Sequence, residues 1–290
     1  MRFMPIQLHE RLSEFSYGYG VTREFERSLA AQGLSAVPFL PSLLHEAQLG
    51  FDVGFNRVGV PLMIQFKLGQ AMRRFSPGPR PLLNQPFWRF KIDTSEPDGQ
   101  FELLLKAERD GADVFYVAPK FHDWEIYLRA FETGSIVRQS VIVRPSTIRE
   151  TMDVNRVADG KHTVVYDVTR SYLCSDPLRL QPLNPFTVAA TVRSQLTERQ
   201  ETLVENLDRV YDGFFNRTEI RRKNDSSAPV GKSDRLVFDI PSDVDGQGLF
   251  RGQRVERLIG GGYTREQAVG LAVAAEAWSV GAQTIFVTEK

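Results

Sequence analysis

The chain of 290 residues has a single cysteine, Cys174, so it forms no internal disulfide and no cysteine-rich zinc site. That thiol reads as a small buried hydrophobe rather than a nucleophile. The four histidines lack the spacing of zinc ligands. No run approaches the ~20 apolar residues of a membrane span. The opening Met1-Arg-Phe-Met-Pro-Ile-Gln-Leu-His-Glu10 has no apolar stretch of the secretory type. Together these absences predict a protein of the reducing cytoplasm. There is no Walker loop, dinucleotide fingerprint or internal repeat, so the chain carries no motor of its own. Formal net charge is also absent: 36 basic residues balance 36 acidic ones, which by itself does not advertise nucleic-acid binding.

The charge is unevenly spread. No acidic residue stands between Asp52 and Asp93, while that interval holds Arg57, Lys67, Arg73, Arg74, Arg80, Arg89 and Lys91. Local fields of this kind attract phosphate. Ser76-Pro-Gly-Pro-Arg-Pro81 reads as an exposed, semi-rigid loop. Phe75, Phe87 and Trp88 lie among the arginines, either to stack on bases or, with Phe90, to fill a strand core.

Within this interval, Phe51-Asp-Val-Gly-Phe55 is followed by the apolar Leu62-Met-Ile-Gln-Phe-Lys-Leu68, which predicts a buried strand paired with the segment carrying Asp52. Alternation puts Gln65 and Lys67 on one face, Ile64 and Phe66 on the other. A lysine in so apolar a frame needs a partner. Two readings follow. In one, Asp52 and Lys67 form a structural ion pair, with Glu46 in water. In the other, Asp52, Glu46 and the Gln65 carbonyl oxygen make a hard-oxygen site for Mg²⁺ or Mn²⁺, and Lys67 holds a metal-activated water or stabilises phosphate charge.

The segment resembles the PD-(D/E)XK nuclease superfamily, in the branch whose second acid is glutamine, as in Mrr-type restriction enzymes and anti-phage nucleases. Asp52 matches the metal-binding aspartate and Gln65-Phe66-Lys67 the signature; Glu46 stands for the glutamate of the preceding helix, although it lies closer to Asp52 than is usual. Phe51 replaces the proline often found before the aspartate. The resemblance implies a restriction-endonuclease-like α/β core, a mixed sheet flanked by helices. It also implies Mg²⁺-dependent cleavage of DNA (or RNA), a role in bacterial defence, and a helicase, ATPase or sensor partner. Asp52, Gln65 and Glu46 would be metal ligands. Arg57, Arg73, Arg74, Arg80 and Arg89 would contact nucleic acid. The alternative is an inactive nuclease fold that binds nucleic acid or scaffolds a complex.

The remaining pattern predicts a nuclease-like domain over 1–190 and a mainly helical region over 191–290. Thr22 is read as capping a helix to Ala31, and Ser42 a shorter one bearing Glu46. A strand over 86–92, a helix opened by Asp98 and ended near Gly111, a strand over 114–118, a helix over 124–131 and a strand over 135–143 follow. Asp159-Gly160 predicts a hairpin joining 152–157 to 162–168, with His162 a half-exposed strand residue. Residues 191–215 read as one amphipathic helix, with Leu196, Leu203, Leu207, Val210 and Phe214 in a stripe that packs in the core or forms a homo-oligomer seam. A linker is expected over 216–234 and a helix over 249–259. Thr264-x-x-Gln267 is a capping box for an alanine-rich helix to about Trp278. An edge strand is expected over 284–288.

Overall fold

A computed structural model describes residues 12–39, 53–73, 81–97, 99–173, 177–224 and 254–290. Asp52, Glu46, Arg74, Arg80, Phe75, Asp98, Cys174, the helix expected after Ser42 and the linker beyond 224 lie outside them.

Among the described residues the architecture is mixed α/β with two five-stranded sheets. The main sheet has the order β1–β10–β2–β5–β6. It comprises β1 (Leu34–Pro38), β10 (Ala282–Glu289), β2 (Gly59–Phe66), β5 (Asp113–Pro119) and β6 (Ser140–Val143). Every residue of β2 is buried, which is why it reads as a continuous apolar run. It runs parallel to β5 and antiparallel to β10. Alternation along β2 divides the core. Leu62, Ile64 and Phe66 join α1 (Glu14–Ala31), α3 (Trp124–Thr133) and α5 (Val188–Arg199) on one face. Met63 lies on the other, with α2 (Gln100–Arg109), α4 (Pro145–Val154), α6 (Leu203–Asn224) and α8 (Arg265–Ser279). Trp88, Phe90, Val164 and Tyr166 from the inner face of the second sheet complete that second core. This sheet is the antiparallel run β3 (Gln70–Met72), β4 (Phe87–Asp93), β7 (Lys161–Tyr166), β8 (Ser171–Leu173) and β9 (Leu178–Leu180).

Several expectations are corrected. The strand at 284–288 is not at an edge: β10 lies between β1 and β2, so the region beyond 190 supplies a central strand as well as helices. That also replaces the expected hairpin, because the neighbours of β2 over 62–65 are β10 and β5. Helix α1 starts at Ser13, whose hydroxyl accepts from the Ser16 amide, not at Thr22. Gly18 and Gly20 lie inside this helix. They are interior because a Cβ there would come within 2.9 Å of the Phe66 ring and 2.4 Å of Ile136. The hairpin at Asp159-Gly160 is a helix-to-strand turn. Pro145 opens α4, Ile148 and Met152 bury one face of it, and β7 pairs with β4 and β8. The strand expected over 135–143 is regular only over Ser140–Val143.

The long amphipathic helix is two. Gln200 adopts φ +50, and Thr202 and Glu205 then form a reciprocal cap: the Thr202 amide donates to Glu205 at 2.9 Å and the Glu205 amide donates to the Thr202 hydroxyl at 3.4 Å. Residues 216–224, expected as linker, continue α6. The whole stripe from Leu196 to Phe214 is buried within the chain, so it serves the core and is not an exposed homo-oligomer seam. The region expected as helix over 249–259 contains α7 (Arg254–Gly260). The capping box at Thr264 and Gln267 is present as the sequence predicts. Asp123 caps α3, and Gly134 ends it in the left-handed region. Among the described residues no helix is long and apolar enough to cross a membrane.

Candidate active site

β2 delivers Gln65 and Lys67 to its C-terminal end. Gln65 stands opposite Ala282 of β10 and Tyr116 of β5. Lys67 lies one residue beyond the strand, with its amide still donating to the Val117 carbonyl at 3.0 Å. The shared face of Gln65 and Lys67 is the predicted one, since Ile64 and Phe66 pack into the opposite core. Gln65 is 3% exposed; its Nε2 donates to the Phe66 carbonyl at 3.0 Å. Its Oε1 is buried and meets no hydrogen-bond donor among the described residues, which is rare for a buried amide oxygen.

Lys67 is half-buried. Its ammonium donates to Gln100 Oε1 at 2.7 Å and lies 5.9 Å from the centre of the Tyr116 ring. Burial pushes the Tyr116 hydroxyl far above its ordinary range, with Glu102 adding to the effect, so this phenol is no acid or base near neutrality. Glu14, the first residue of α1, is a described carboxylate within electrostatic reach of Lys67. Crowding against the protein raises its pKa, and the Lys67 ammonium opposes the rise.

The strand, the parity and the lysine are where the sequence puts them. Asp52 and Glu46 lie outside the described residues, so their convergence on Lys67 is not part of this geometry. Of the predicted arginines, the described Arg57, Arg73 and Arg89 do not gather at one place. Arg57 precedes the N-terminal end of β2, its guanidinium 3.5 Å from the Glu289 carbonyl, and the eight residues of β2 separate it from Lys67. At ~3.3 Å per residue that is more than about 20 Å. Arg73 is exposed just after β3, and Arg89 on β4 donates to Gln70 Oε1 at 2.6 Å. Phe87 and Trp88 are buried, Trp88 stacking on Tyr166, so neither is available to bases. His162 is buried opposite Ile92 rather than half-exposed.

Sequence reasoning missed Glu14, Gln100, Tyr116 and Gly281. Only contacts between distant segments bring them to the end of β2: Gly281, at φ +82, would place an added Cβ 3.4 Å from Gln65 Nε2 and 3.5 Å from Gln100 Nε2. The one local signal was Ser13-Glu14, an N-cap followed by a first-turn acid. Comparisons with protein-family models, with curated proteins and with solved structures find no match. A functional reading therefore rests on these side chains.

The donor set can be tested against a hard cation. Gln65 Oε1 is a buried oxygen without a donor among the described residues, and Glu14, which begins the helix packed against the other face of the sheet, is a carboxylate within electrostatic reach of Lys67. Both are oxygen ligands of the type Mg²⁺ takes. No three His, Cys, Asp or Glu side chains come together among the described residues, so the set is compatible in kind but short in charge.

Proposed function

We propose that the chain is a Mg²⁺-dependent nuclease that hydrolyses phosphodiester bonds in DNA. The observation that carries this reading is the end of β2, where a buried amide oxygen without a donor and a held ammonium stand two residues apart on one face. This agrees with the Gln-x-Lys signature. Gln65, Asp52 and an acid, Glu46 or Glu14, would hold the metal. When bound, the metal supplies Lewis-acid polarisation of the phosphate and a more acidic water.

The chain's own residues do the rest. Gln65 presents its oxygen from a rigid central strand. Lys67 offers a fixed positive charge to the pentavalent phosphate as its oxygens gain charge. Gln100 holds that ammonium away from the apolar core. A glutamine in place of an acid removes one negative charge, so resting affinity for the metal is low and the substrate phosphate completes the site. The enzyme is accordingly quiet until substrate or a partner engages it. The likeness to anti-phage nucleases extends the proposal to bacterial defence, with a helicase, ATPase or sensor as partner. Arg73, six residues beyond Lys67, and Arg89, held to β3 through Gln70, would contact the backbone.

The test is cleavage of plasmid, single-stranded DNA and RNA with Mg²⁺, Mn²⁺ or chelator, by wild type, Lys67→Ala and Asp52→Ala. Cleavage that needs metal and is lost in both variants, with folding and nucleic-acid affinity kept, supports the reading. Activity insensitive to both substitutions would remove the site, and RNA-only cleavage would change the substrate.

A further inference from the structure

Gln100 opens α2, yet its side chain is not used there: Gly99 is the N-cap, with no side-chain hydrogen bond. A primary amide has one accepting and one donating end. The accepting end takes Lys67 Nζ at 2.7 Å, from 33 residues away. The donating end gives to the Val280 carbonyl, 180 residues away. Val280 is the C-cap of α8, where carbonyls lack helical partners. The next residue, Gly281, sits against the Gln65 and Gln100 amides at ordinary van der Waals distance from where a Cβ would be, in a backbone conformation that suits glycine. Three distant segments thus meet around one ammonium.

An ammonium on a flexible four-carbon stem is a poor catalytic charge unless something fixes it. We infer that Gln100 is a positioning residue for Lys67, and that the Val280–Gly281 turn fixes Gln100. The junction of the last helix and last strand thereby sets the geometry of the site. The catalytic consequence rests on the nuclease reading; the positioning itself does not. A purely structural Gln100, serving only the end of α8, would affect stability and leave Lys67 unmoved.

The decisive measurement is the rate at which an amine-reactive ester labels Lys67, followed by peptide mass spectrometry, with exposed Lys91 and Lys161 as internal references. Gln100→Leu raises Lys67 labelling about 3- to 10-fold, the scale of one net hydrogen bond. Gln100→Glu, which keeps an acceptor and adds a negative charge that favours the protonated amine, lowers labelling below wild type. Gly281→Ala, with Gln100 intact, raises it. In cleavage assays Gln100→Leu lowers kcat about tenfold and leaves KM within about twofold, as loss of a transition-state contact does. Unchanged Lys67 labelling in folded Gln100→Leu overturns the inference. Should that variant not fold, labelling in Gly281→Ala decides, and an unchanged rate there overturns it equally. The expected labelling pattern from a chain that cleaves nothing sustains the positioning role and defeats the nuclease reading alone.

Discussion

The Tyr166 hydroxyl donates to the Pro119 carbonyl at 3.0 Å, joining β7 of the second sheet to β5 of the main one. The same hydroxyl lies 2.1 Å from where a Cβ on Gly69 would stand. Lys67, Leu68 and Gly69 lead from one sheet to the other, so this contact fixes the exit path of the proposed catalytic strand. Tyr166→Phe leaves a buried carbonyl unpaired and is expected to cost about 1–3 kcal/mol. Gly69→Ala forces the ring or the strand to move and costs about as much by overpacking. The two should not add, because the smaller Phe ring edge relieves the clash, and urea denaturation of the double variant tests this.

Asp167, next to that tyrosine, has a depressed pKa. Burial alone would raise it, but amide donors from Asn84, Thr169 and Arg170 and the Thr169 hydroxyl hold it below the usual range. A carboxyl with a folded pKa below its unfolded value stabilises the fold above the ordinary aspartate value of about 3.9. That contribution is lost as pH falls through the folded value. Urea midpoints measured from pH 7 to pH 2 should fall more steeply in wild type than in Asp167→Asn. Parallel curves would contradict this role.

Glu14, exposed at the start of α1, shows the opposite shift: the protein crowding its carboxyl raises it and Lys67 opposes the rise. If it must be ionised to serve the metal, the acid limb of kcat/KM contains its raised pKa. Glu14→Gln should then move that limb to lower pH and reduce turnover about 10- to 100-fold, the range for a residue supporting a metal site. A pH–rate profile of unchanged shape would separate Glu14 from the chemistry.

Leu207 is fully buried in the stripe of α6. Leu207→Ala should cost about 2–5 kcal/mol in chemical denaturation. Because the stripe packs inside the chain, sedimentation should give the same mass for both proteins; a drop in mass would revive the seam.

Much of the fold was legible because local physics was enough. The capping box at Thr264, the stop near Gly111 and the apolar run of β2 each depend on neighbours within a turn. The errors arose where a local cue was overruled or overlooked. The Ser13 cap opens α1 well ahead of the Thr22 signal, and the Thr202 box divided a stripe that looks continuous from the apolar spacing alone.

The sequence by itself determined that Gln65 and Lys67 share a face at the end of a buried strand, because side-chain alternation is a property of the backbone. Only the tertiary structure decided what surrounds them. The placement of β10 beside β2, the arrival of Gln100 and Gly281, and the approach of Glu14 are contacts between segments far apart along the chain. Such contacts are selected by how whole layers pack, and no local spacing encodes them.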